Sequence, residues 1–403
     1  MSDLLPCDLR LGSDWRNGQV CFRPWISPDA LINPAKSHPD VIIQAVAARD
    51  KEKAKEYATK HKIPHAVEGY EALLDDSSID AVYIPLPVGL HYEWTMKALA
   101  KGKHVLVEKP ATVNATEAEM LFRSPLLRQP KSPILLEAMH FLFQPSWQYF
   151  VSLVDRPNIL SVSAIAELPS YIIPKGGIRF DYNLGGGNIL DLGTYPLNAL
   201  RQIMGAEPEE CTMCKVRTPP PPQELCDEFA EASFRFPGER VGNAVMNMRA
   251  SITTFPTFNI TVCHKEIKVE DASVPRGQTK WRLRKLHISN FLMSSFWHRI
   301  DIVDEYSSRS GDKLLRKWTT KESKKIYTFK DAGIDQPSEP YWTSYRHQLE
   351  QFVNHIRGNK GSGLWVDYED SLAQAKMVDM AYEKSGLPLR PISKFRMEDT
   401  LRS

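Results

Sequence analysis

Short apolar runs alternate with helix-like segments along the first 150 residues of the chain. Residues 81–84 and 104–107 are apolar runs of strand length, and the segment 91–100 between them has its large apolar residues at helical spacing. A strand, a helix and a second strand in this order indicate two parallel strands of one sheet. Because the alternation continues on both sides of this unit, the sequence predicts an α/β domain over residues 1–150 with a doubly wound, mainly parallel sheet.

The pattern changes after residue 150. Residues 160–168 alternate between apolar and polar positions, and four later segments have β-like composition with turn residues between them, namely 230–236, 244–252, 259–269 and 281–288. These segments predict a mainly antiparallel sheet, and residues 344–357 and 368–385 predict two helices after it. We therefore expect an α+β domain over residues 151–390 and a loose tail over residues 391–403.

Charged residues follow the second strand of the parallel pair. Glu108 and Lys109 come directly after it, and Pro110 ends the strand. The carboxyl ends of parallel strands form the edge at which open α/β sheets bind their ligands. A carboxylate and an amine at this edge are therefore candidates for chemistry.

A second candidate lies in a glycine-rich stretch of the second domain. Three consecutive glycines at residues 185–187 precede Asp191 and Tyr195, which would share one helical face because they are four residues apart. A carboxylate and a phenol are unusual on a core helix unless they serve a site. A solvated helix face with a capping glycine run is the alternative, and Pro196 predicts a kink or a late helix start.

Two observations concern a nucleotide ligand. Arg49 and Asp50 follow the strand predicted at residues 41–48, where a dinucleotide fold meets the adenosine ribose, and an arginine there accommodates a 2′-phosphate. Arg49 thus favours NADP, and an exposed turn arginine is an alternative of equal weight. The G-x-G-x-x-G turn that brings the backbone to a pyrophosphate is absent, since Gly18 is the only glycine near the candidate first strand at residues 20–22.

Composition excludes several classes of protein. With 403 residues, 42% of them apolar, the chain is long enough for two domains. Lys plus Arg (51) nearly balance Asp plus Glu (49), so no nucleic-acid partner is indicated. No signal-peptide pattern or membrane-spanning run occurs, and we expect a cytosolic protein, although unconventional secretion would leave no trace in the sequence. The C-x-x-C at residues 211–214 lacks a second ligand pair, so we expect no metal site.

Several ordered motifs resemble one known family. They are PLPVGLHYEW at residues 85–94, EKP at 108–110, GGGNILDLGTYPLNAL at 185–200 and EDSLAQAKMVDMAYEKSG at 369–386. Together they resemble the glucose-fructose oxidoreductase, inositol dehydrogenase and rhizopine catabolism (Gfo/Idh/MocA) family over about residues 30–390. Within it the chain is most similar to the fungal D-xylose dehydrogenase and dihydrodiol dehydrogenase branch.

The resemblance implies a fold, a reaction and a cofactor. It implies a Rossmann-type nicotinamide-binding domain and a second domain whose open antiparallel sheet often serves for oligomerisation, so we expect a homodimer. The implied reaction is NADP-dependent hydride transfer, with NAD also usable, at a hydroxyl carbon of a small molecule: an aldose, a polyol or a cyclic diol.

The same resemblance implies roles for individual residues. It implies that Lys109, Asp191 and Tyr195 are catalytic and that the Lys109–Pro110 bond is cis. Cofactor contacts are implied for Arg49, Asp50, Pro85, Leu86, His91, Glu108 and Lys109, and substrate contacts for Arg179, Asn188 and Asp191. The Lys109 charge would favour the Tyr195 phenolate and make it a better base, while Asp191 would hold a substrate hydroxyl and orient Lys109.

The chain also departs from the family pattern. Val88 stands where the family has Asn, and Leu142 and Gln144 replace an expected Arg and His. Together with the missing glycine turn, these changes leave three explanations open. The glycine-bearing first strand has been replaced by unrelated residues in the recorded N-terminus, or a modified loop binds the dinucleotide less tightly, or hydride transfer is lost and the pocket serves binding or non-redox chemistry.

Overall fold

A parallel sheet forms the centre of the N-terminal half. The computed structural model describes residues 7–9, 30–173, 176–396 and 398. The strands are β1 (Cys7–Leu9), β2 (Ile43–Ala48), β3 (His65–Glu68), β4 (Ala81–Ile84), β5 (His104–Glu108) and β6 (Leu135–Ala138), in the order β3-β2-β1-β4-β5-β6. Strand β2 is parallel to β3, and β4, β5 and β6 are parallel to one another. The predicted Rossmann-like sheet is confirmed.

The central strand differs from the expectation. β1 lies between β2 and β4 and runs antiparallel to both. The first strand expected at residues 20–22, and the turn after it, lie outside the described residues. The crevice used by dinucleotides in such folds lies at the carboxyl ends of the parallel strands, which here are those of β2 and β4 on either side of β1.

Helices cover the sheet. They are α1 (Ile32–Lys36), α2 (Lys51–His61), α3 (Tyr70–Leu74), α4 (His91–Ala100), α5 (Ala115–Phe122) and α6 (Pro145–Ser152). Two begin with side-chain caps: Asp50 accepts hydrogen bonds from the backbone N–H groups of Glu52 and Lys53, and Asn114 accepts one from Glu117. Asn114 is therefore the cap of α5.

A second sheet forms the C-terminal half. Its strands are β7 (Ile159–Pro169), β8 (Glu210–Arg217), β9 (Phe229–Phe236), β10 (Arg240–Ala250), β11 (Thr257–His264), β12 (Ile267–Val269), β13 (Thr279–Ser289), β14 (Arg299–Ser310) and β15 (Lys313–Lys324). The order is β15-β14-β13-β11-β7-β10-β9-β8, with β12 beside β13, and all pairs are antiparallel except β7 with β10. Alternate residues of β7, β9 and β10 are buried, so one face of the sheet forms a core.

Three helices complete this half: α7 (Thr194–Met204), α8 (Ser344–Ile356) and α9 (Tyr368–Ser385). Helix α7 packs on β7 and β10, α8 packs on the N-terminal half, and α9 packs against both α5 and β8. The chain after α9 then returns to the first half, where Ser393 N–H donates to Glu117 and the Phe395 ring contacts Tyr92. These residues of the expected loose tail are therefore packed.

Candidate active site

A cavity of about 410 Å³ lies between the two halves. Its walls come from the loops after β4 and β5, from the turn before α7, and from β7, β10 and β11 of the second sheet. A volume of this size suits a small organic ligand. Lys109, Asp191 and Tyr195 all line this cavity, so the structure brings the three predicted catalytic groups together.

Lys109 occupies the position directly after β5. Its Nζ donates to Asp191 twice, to Oδ1 at 2.8 Å and to the backbone carbonyl at 2.8 Å. The Lys109–Pro110 bond is cis. The Glu108 carboxylate accepts hydrogen bonds from the Tyr83 hydroxyl and from the Lys109 backbone N–H, and burial raises the pKa of this carboxyl. Glu108 therefore supports the strand end while Lys109 faces the second half of the chain.

Asp191 bridges two cations. Its Oδ2 accepts a hydrogen bond from Arg179 Nε at 2.6 Å, in addition to the bond from Lys109. Burial alone would raise the pKa of Asp191, but the positive charges of Lys109 and Arg179 outweigh burial and hold that pKa well below its usual value. Asp191 is therefore ionised. It precedes α7 in a turn, so the expectation that it shares a helical face with Tyr195 is wrong, whereas the late helix start that Pro196 predicted is confirmed.

Tyr195 differs from the expectation in its protonation. The Lys109 Nζ lies 4.6 Å from the centre of the Tyr195 ring, over its face, and forms an ion pair with Asp191. Burial, together with the neighbouring Tyr345, Glu108 and Asp191, raises the pKa of Tyr195 well above its ordinary value. The predicted lowering of the Tyr195 pKa is therefore wrong: desolvation exceeds the effect of nearby positive charge, and Tyr195 is a protonated phenol.

His140 is a site residue that the sequence analysis missed. Its Nε2 lies 3.2 Å from the Tyr195 hydroxyl and its Nδ1 lies 2.9 Å from Ser344 Oγ, while its ring stacks on Tyr345. Burial, with a smaller effect of Lys109, lowers the pKa of His140 to about 3, so the ring is neutral. The only sequence signal was its position two residues after β6, at the same sheet edge as Lys109.

The three hydrogen-bonding groups form a chain that can move a proton. In one arrangement the Tyr195 hydroxyl donates to Nε2 of His140, and Nδ1–H donates to Ser344. In the other, Ser344 donates to Nδ1 and Nε2–H donates to Tyr195, which leaves the phenol proton free for the cavity. A neutral histidine that exchanges its two tautomers can therefore pass a proton to or from Tyr195.

The loop after β4 forms another wall. Pro85, Leu86 and His91 line the cavity as expected. The His91 ring is buried between two backbone carbonyls, with Nε2 2.7 Å from that of Leu86 and Nδ1 2.8 Å from that of Pro110. Burial lowers the pKa of His91 to about 4, so the neutral ring donates to one of these carbonyls. His91 therefore joins the loops after β4 and β5.

Asn188 does not reach the cavity. Its side chain is fully buried and its amide N–H donates to the Met246 carbonyl at 2.9 Å. The predicted substrate contact is thus wrong for Asn188, because the glycine run turns this side chain toward the second sheet. Arg179, in contrast, lines the cavity beside Asp191.

A buried ion pair between Arg390 and Asp227 leaves no room for a side chain at Gly187. A Cβ on Gly187 would lie 2.2 Å from Arg390 Nη2 and 2.6 Å from Asp227 Oδ1. Arg390 also donates to the Gly186 carbonyl at 2.6 Å, and Asp227 accepts from Ile189 N–H at 2.7 Å. This ion pair therefore fixes the backbone of the turn that carries Asp191.

Arg49 and Asp50 lie at the carboxyl end of β2, both exposed. The Asp50 carboxylate caps α2, so a structural role explains this residue and no ligand contact is needed to explain it. Arg49 stands at the same edge of the sheet as Pro85 and Lys109, on the strand where a dinucleotide fold meets the adenosine ribose.

The described residues fit the nicotinamide end of a dinucleotide. Pro85, Leu86 and Pro87 place an apolar surface beside Lys109 and Tyr195, in the same cavity and at the edge where such folds hold the reactive ring. The stretch in which the sequence analysis expected a pyrophosphate-binding turn lies outside the described residues. Among the described residues, no cluster of His, Cys, Asp and Glu could hold a metal ion.

None of the helices in the described part of the chain has the length and apolar character needed to cross a membrane.

Comparison with known proteins gives two matching family models. Residues 25–124 match an oxidoreductase family with an NAD-binding Rossmann fold, and residues 161–267 match the GFO/IDH/MocA C-terminal domain. A 3-ketoreductase from Actinomadura kijaniata, solved with NADP and TDP-benzene, superimposes with a TM-score of 0.62 at 24% identity, covering 88% of this chain and 92% of that one. This structural likeness supports the fold.

Two relatives extend the comparison. A dTDP-3,4-didehydro-2,6-dideoxy-alpha-D-glucose 3-reductase of Actinomadura kijaniata is 33% identical over 56% of this chain and 62% of its own length. The D-xylose 1-dehydrogenase (NADP(+)) 2 of Haloferax volcanii is 39% identical over 40% of this chain and 49% of its own length. The chain thus spans less than two thirds of either enzyme. Both are bacterial or archaeal, so they do not support the fungal likeness.

One relative matches along nearly the whole chain. An uncharacterized oxidoreductase of Rhizobium meliloti is 31% identical over 359 residues, which cover 88% of this chain and 92% of the relative. The folds of both halves and this match over most of the chain indicate the same family. The chain belongs to the Gfo/Idh/MocA oxidoreductase family.

Proposed function

We propose that this protein is an NADP-dependent oxidoreductase that transfers a hydride between the nicotinamide and a hydroxyl-bearing carbon of an aldose, a polyol or a cyclic diol. The observation that carries the proposal is the convergence of Lys109, Asp191 and Tyr195 on one cavity at the carboxyl edge of the parallel sheet. Family membership supports the same reaction type.

Each side chain has a separate task in this proposal. The bound cofactor supplies or accepts the hydride. The Lys109 amine polarises the substrate oxygen, and Asp191 holds that amine in place and can accept a hydrogen bond from a second substrate hydroxyl. Tyr195 exchanges a proton with the reacting oxygen, and His140 exchanges it onward toward Ser344.

The raised pKa of Tyr195 favours one direction at neutral pH. A protonated phenol can donate to the oxygen of a carbonyl as it becomes an alcohol, so reduction can start from the resting state. Oxidation requires the phenol to accept a proton, which it can do only while passing its own proton to His140. We therefore expect oxidation to be the slower direction at neutral pH and to accelerate as pH rises.

NADP is the proposed cofactor, with NAD as a weaker alternative. Arg49 is exposed at the end of β2, and its guanidinium can meet a 2′-phosphate there. We expect Arg49→Ala to weaken binding of NADPH more than that of NADH. Equal losses for the two cofactors would show that Arg49 does not meet the phosphate, and Lys55→Ala, on the exposed side of α2, is a matched control.

The test of the function is a thermal-shift titration of the full chain. NADPH should raise the melting temperature, because a ligand that binds only the folded form stabilises it, and NADPH should then support reduction of a sugar or cyclic ketone. No stabilisation and no turnover at millimolar NADPH would contradict the proposal. That result would favour a family member that binds a small molecule or catalyses a non-redox reaction. A cytosolic homodimer remains our expectation for its location and assembly.

A further inference from the structure

The wall of the cavity that faces the second sheet is apolar. Leu168 on β7, Met248 on β10 and Phe258 on β11 come from three neighbouring strands and line the cavity side by side. Leu292 and Met293 continue this wall in the loop between β13 and β14. That loop is fixed to β11, since Phe291 N–H donates to the Phe258 carbonyl at 2.8 Å. We call these five residues the apolar wall.

The polar groups of the cavity are concentrated elsewhere. Lys109 and Arg179 are each in direct contact with Asp191, and Tyr195 lies under the Lys109 amine. Tyr345, which also lines the cavity, stacks on the histidine that contacts Tyr195. The remaining two polar lining residues have their polar atoms engaged: His91 by backbone carbonyls, and Glu108 by Tyr83 and the Lys109 N–H. Among the described lining residues, the side chains that can hydrogen-bond to a ligand thus lie together around Lys109.

This distribution restricts the ligand. A hydroxyl that leaves water for an apolar wall loses its hydrogen bonds without replacement, and each such hydroxyl lowers affinity. An aldose carries hydroxyls around its whole ring, so several would face the wall. A ring with oxygens on two neighbouring carbons can place both at the Lys109 end and its hydrocarbon remainder against the wall.

We infer that the substrate is a hydroxyl-poor ring, a cyclic vicinal diol or the corresponding hydroxyketone, and that the apolar wall selects it over a free aldose. The inference rests on the proposed function and narrows its substrate class. In the oxidative direction one carbinol C–H bond breaks as its hydride passes to NADP⁺, and the hydroxyl proton passes to Tyr195 while the phenol proton of Tyr195 passes to His140. The products are the hydroxyketone, NADPH and a proton released to solvent.

The experiment compares trans-cyclohexane-1,2-diol with D-xylose. With the full chain and NADP⁺, we expect kcat/KM to be at least about tenfold higher for the diol, the usual scale of discrimination by an apolar pocket. Ligand-induced thermal shifts in the presence of NADPH should follow the same order. Equal or better use of D-xylose, or NADPH binding without any preference for the diol in either measurement, would overturn the inference while leaving the cofactor assignment intact. Absence of both NADPH stabilisation and turnover would instead overturn the proposed function.

A variant of the wall tests the cause of the preference. Met293→Gln keeps the length of the side chain and adds hydrogen-bonding atoms to the wall, and it should reduce the diol-to-xylose ratio of kcat/KM by about threefold or more. Phe296→Gln, on the same loop and 65% exposed but not lining the cavity, is the matched control and should leave the ratio unchanged. An unchanged ratio in Met293→Gln, with the protein folded and active, would exclude the wall as the selecting element.

Discussion

The lysine after β5 has a chemical role that can be separated from its structural one. Lys109→Met should lower kcat by about a hundredfold or more, because it removes the charge that polarises the reacting oxygen. Stability should change little, since Asp191 retains its bond to Arg179 at 2.6 Å. Steady-state kinetics and a thermal melt of the same sample measure the two effects.

An exposed lysine provides the control for Lys109. Lys101 pairs with Asp75 at the surface, where an ion pair contributes little to stability, so Lys101→Met should change neither the rate nor the melting temperature. A fully active Lys109→Met enzyme would remove Lys109 from the mechanism.

The histidine beside Tyr195 can be tested by its effect on the direction of reaction. His140→Phe keeps an aromatic ring to stack on Tyr345 but removes both nitrogens. Oxidation should slow by about tenfold or more, since Tyr195 then has no acceptor for its proton, whereas reduction should slow less. The KM for substrate should stay near its original value. Rates in both directions, each measured as a function of pH, distinguish this role from a structural one.

A buried histidine outside the cavity controls for the loss of an imidazole from the core. His347 on α8 is buried against Phe329 and Trp342 and makes no contact with Tyr195. His347→Phe should leave the ratio of the two rates unchanged. If His140→Phe slowed oxidation and reduction equally, with the same pH profile, a proton-transfer role would be ruled out.

The sequence predicted the site residues that obey simple positional rules. Lys109 follows a parallel strand, and the ends of such strands meet at one edge, so its place could be inferred without coordinates. The protonation of Tyr195 could not, because it depends on how completely the phenol is desolvated. His140 was missed because it stands in an apolar run with Phe141, where it reads as an ordinary core residue.

At the scale of elements, the turn before α7 depends on the fully buried pair of Arg390 and Asp227. Arg390→Met should cost about 3–5 kcal/mol of unfolding free energy, because it leaves the Asp227 carboxylate buried without its partner. The double variant Arg390→Met with Asp227→Asn should recover part of this loss, since no uncompensated charge remains. Urea denaturation measures both, and identical stabilities of the single and double variants would contradict the charge argument.

Alternating burial did not decide by itself which strands were predicted: β4, buried throughout, was predicted with its observed bounds, and β14, which alternates over much of its length, was not predicted. β9 alternates between buried and half-buried residues, and its bounds were predicted to within one residue. β15 is exposed along nearly its whole length and rich in lysine, so no apolar pattern marked it. Lysines on an edge strand protect it from pairing with another chain, which explains why the sheet can end there.

At the scale of the molecule, the segment after α9 packs back against the N-terminal half. The Asn114 amide donates to the Arg390 carbonyl at 2.8 Å, and the Glu117 side chain accepts from Ser393 N–H at 2.8 Å. Residues late in the chain therefore join the N-terminal half to the turn that carries Asp191. Sequence patterns did not predict this, because contacts between residues about 276 positions apart leave no local periodicity.

Acid should destabilise the whole molecule through its buried histidines. Burial lowers the pKa to about 3 or about 4 in five of the described histidines: His38, His91, His104, His140 and His347. The unfolded chain binds protons at these groups near pH 6.5 whereas the folded chain does not, so stability falls as pH drops from about 6.5 toward 4. Buried carboxyls act in the opposite sense, since burial raises the pKa of Glu137 to about 7 and that of Asp379 to about 6.

A substitution at one buried histidine separates the effect of the histidines on stability from that of the buried carboxyls. At pH 5 each deeply buried histidine should cost about 2 kcal/mol relative to pH 7, since about 1.5 pH units lie between 6.5 and 5 at about 1.4 kcal/mol per unit. His347→Phe removes one such group without touching the carboxyls, so its loss of unfolding free energy between pH 7 and pH 5 should be smaller than that of the parent by about 2 kcal/mol. Urea denaturation at the two pH values provides the comparison. Equal losses in the two proteins would mean that His347 binds its proton as readily in the folded chain as in the unfolded one.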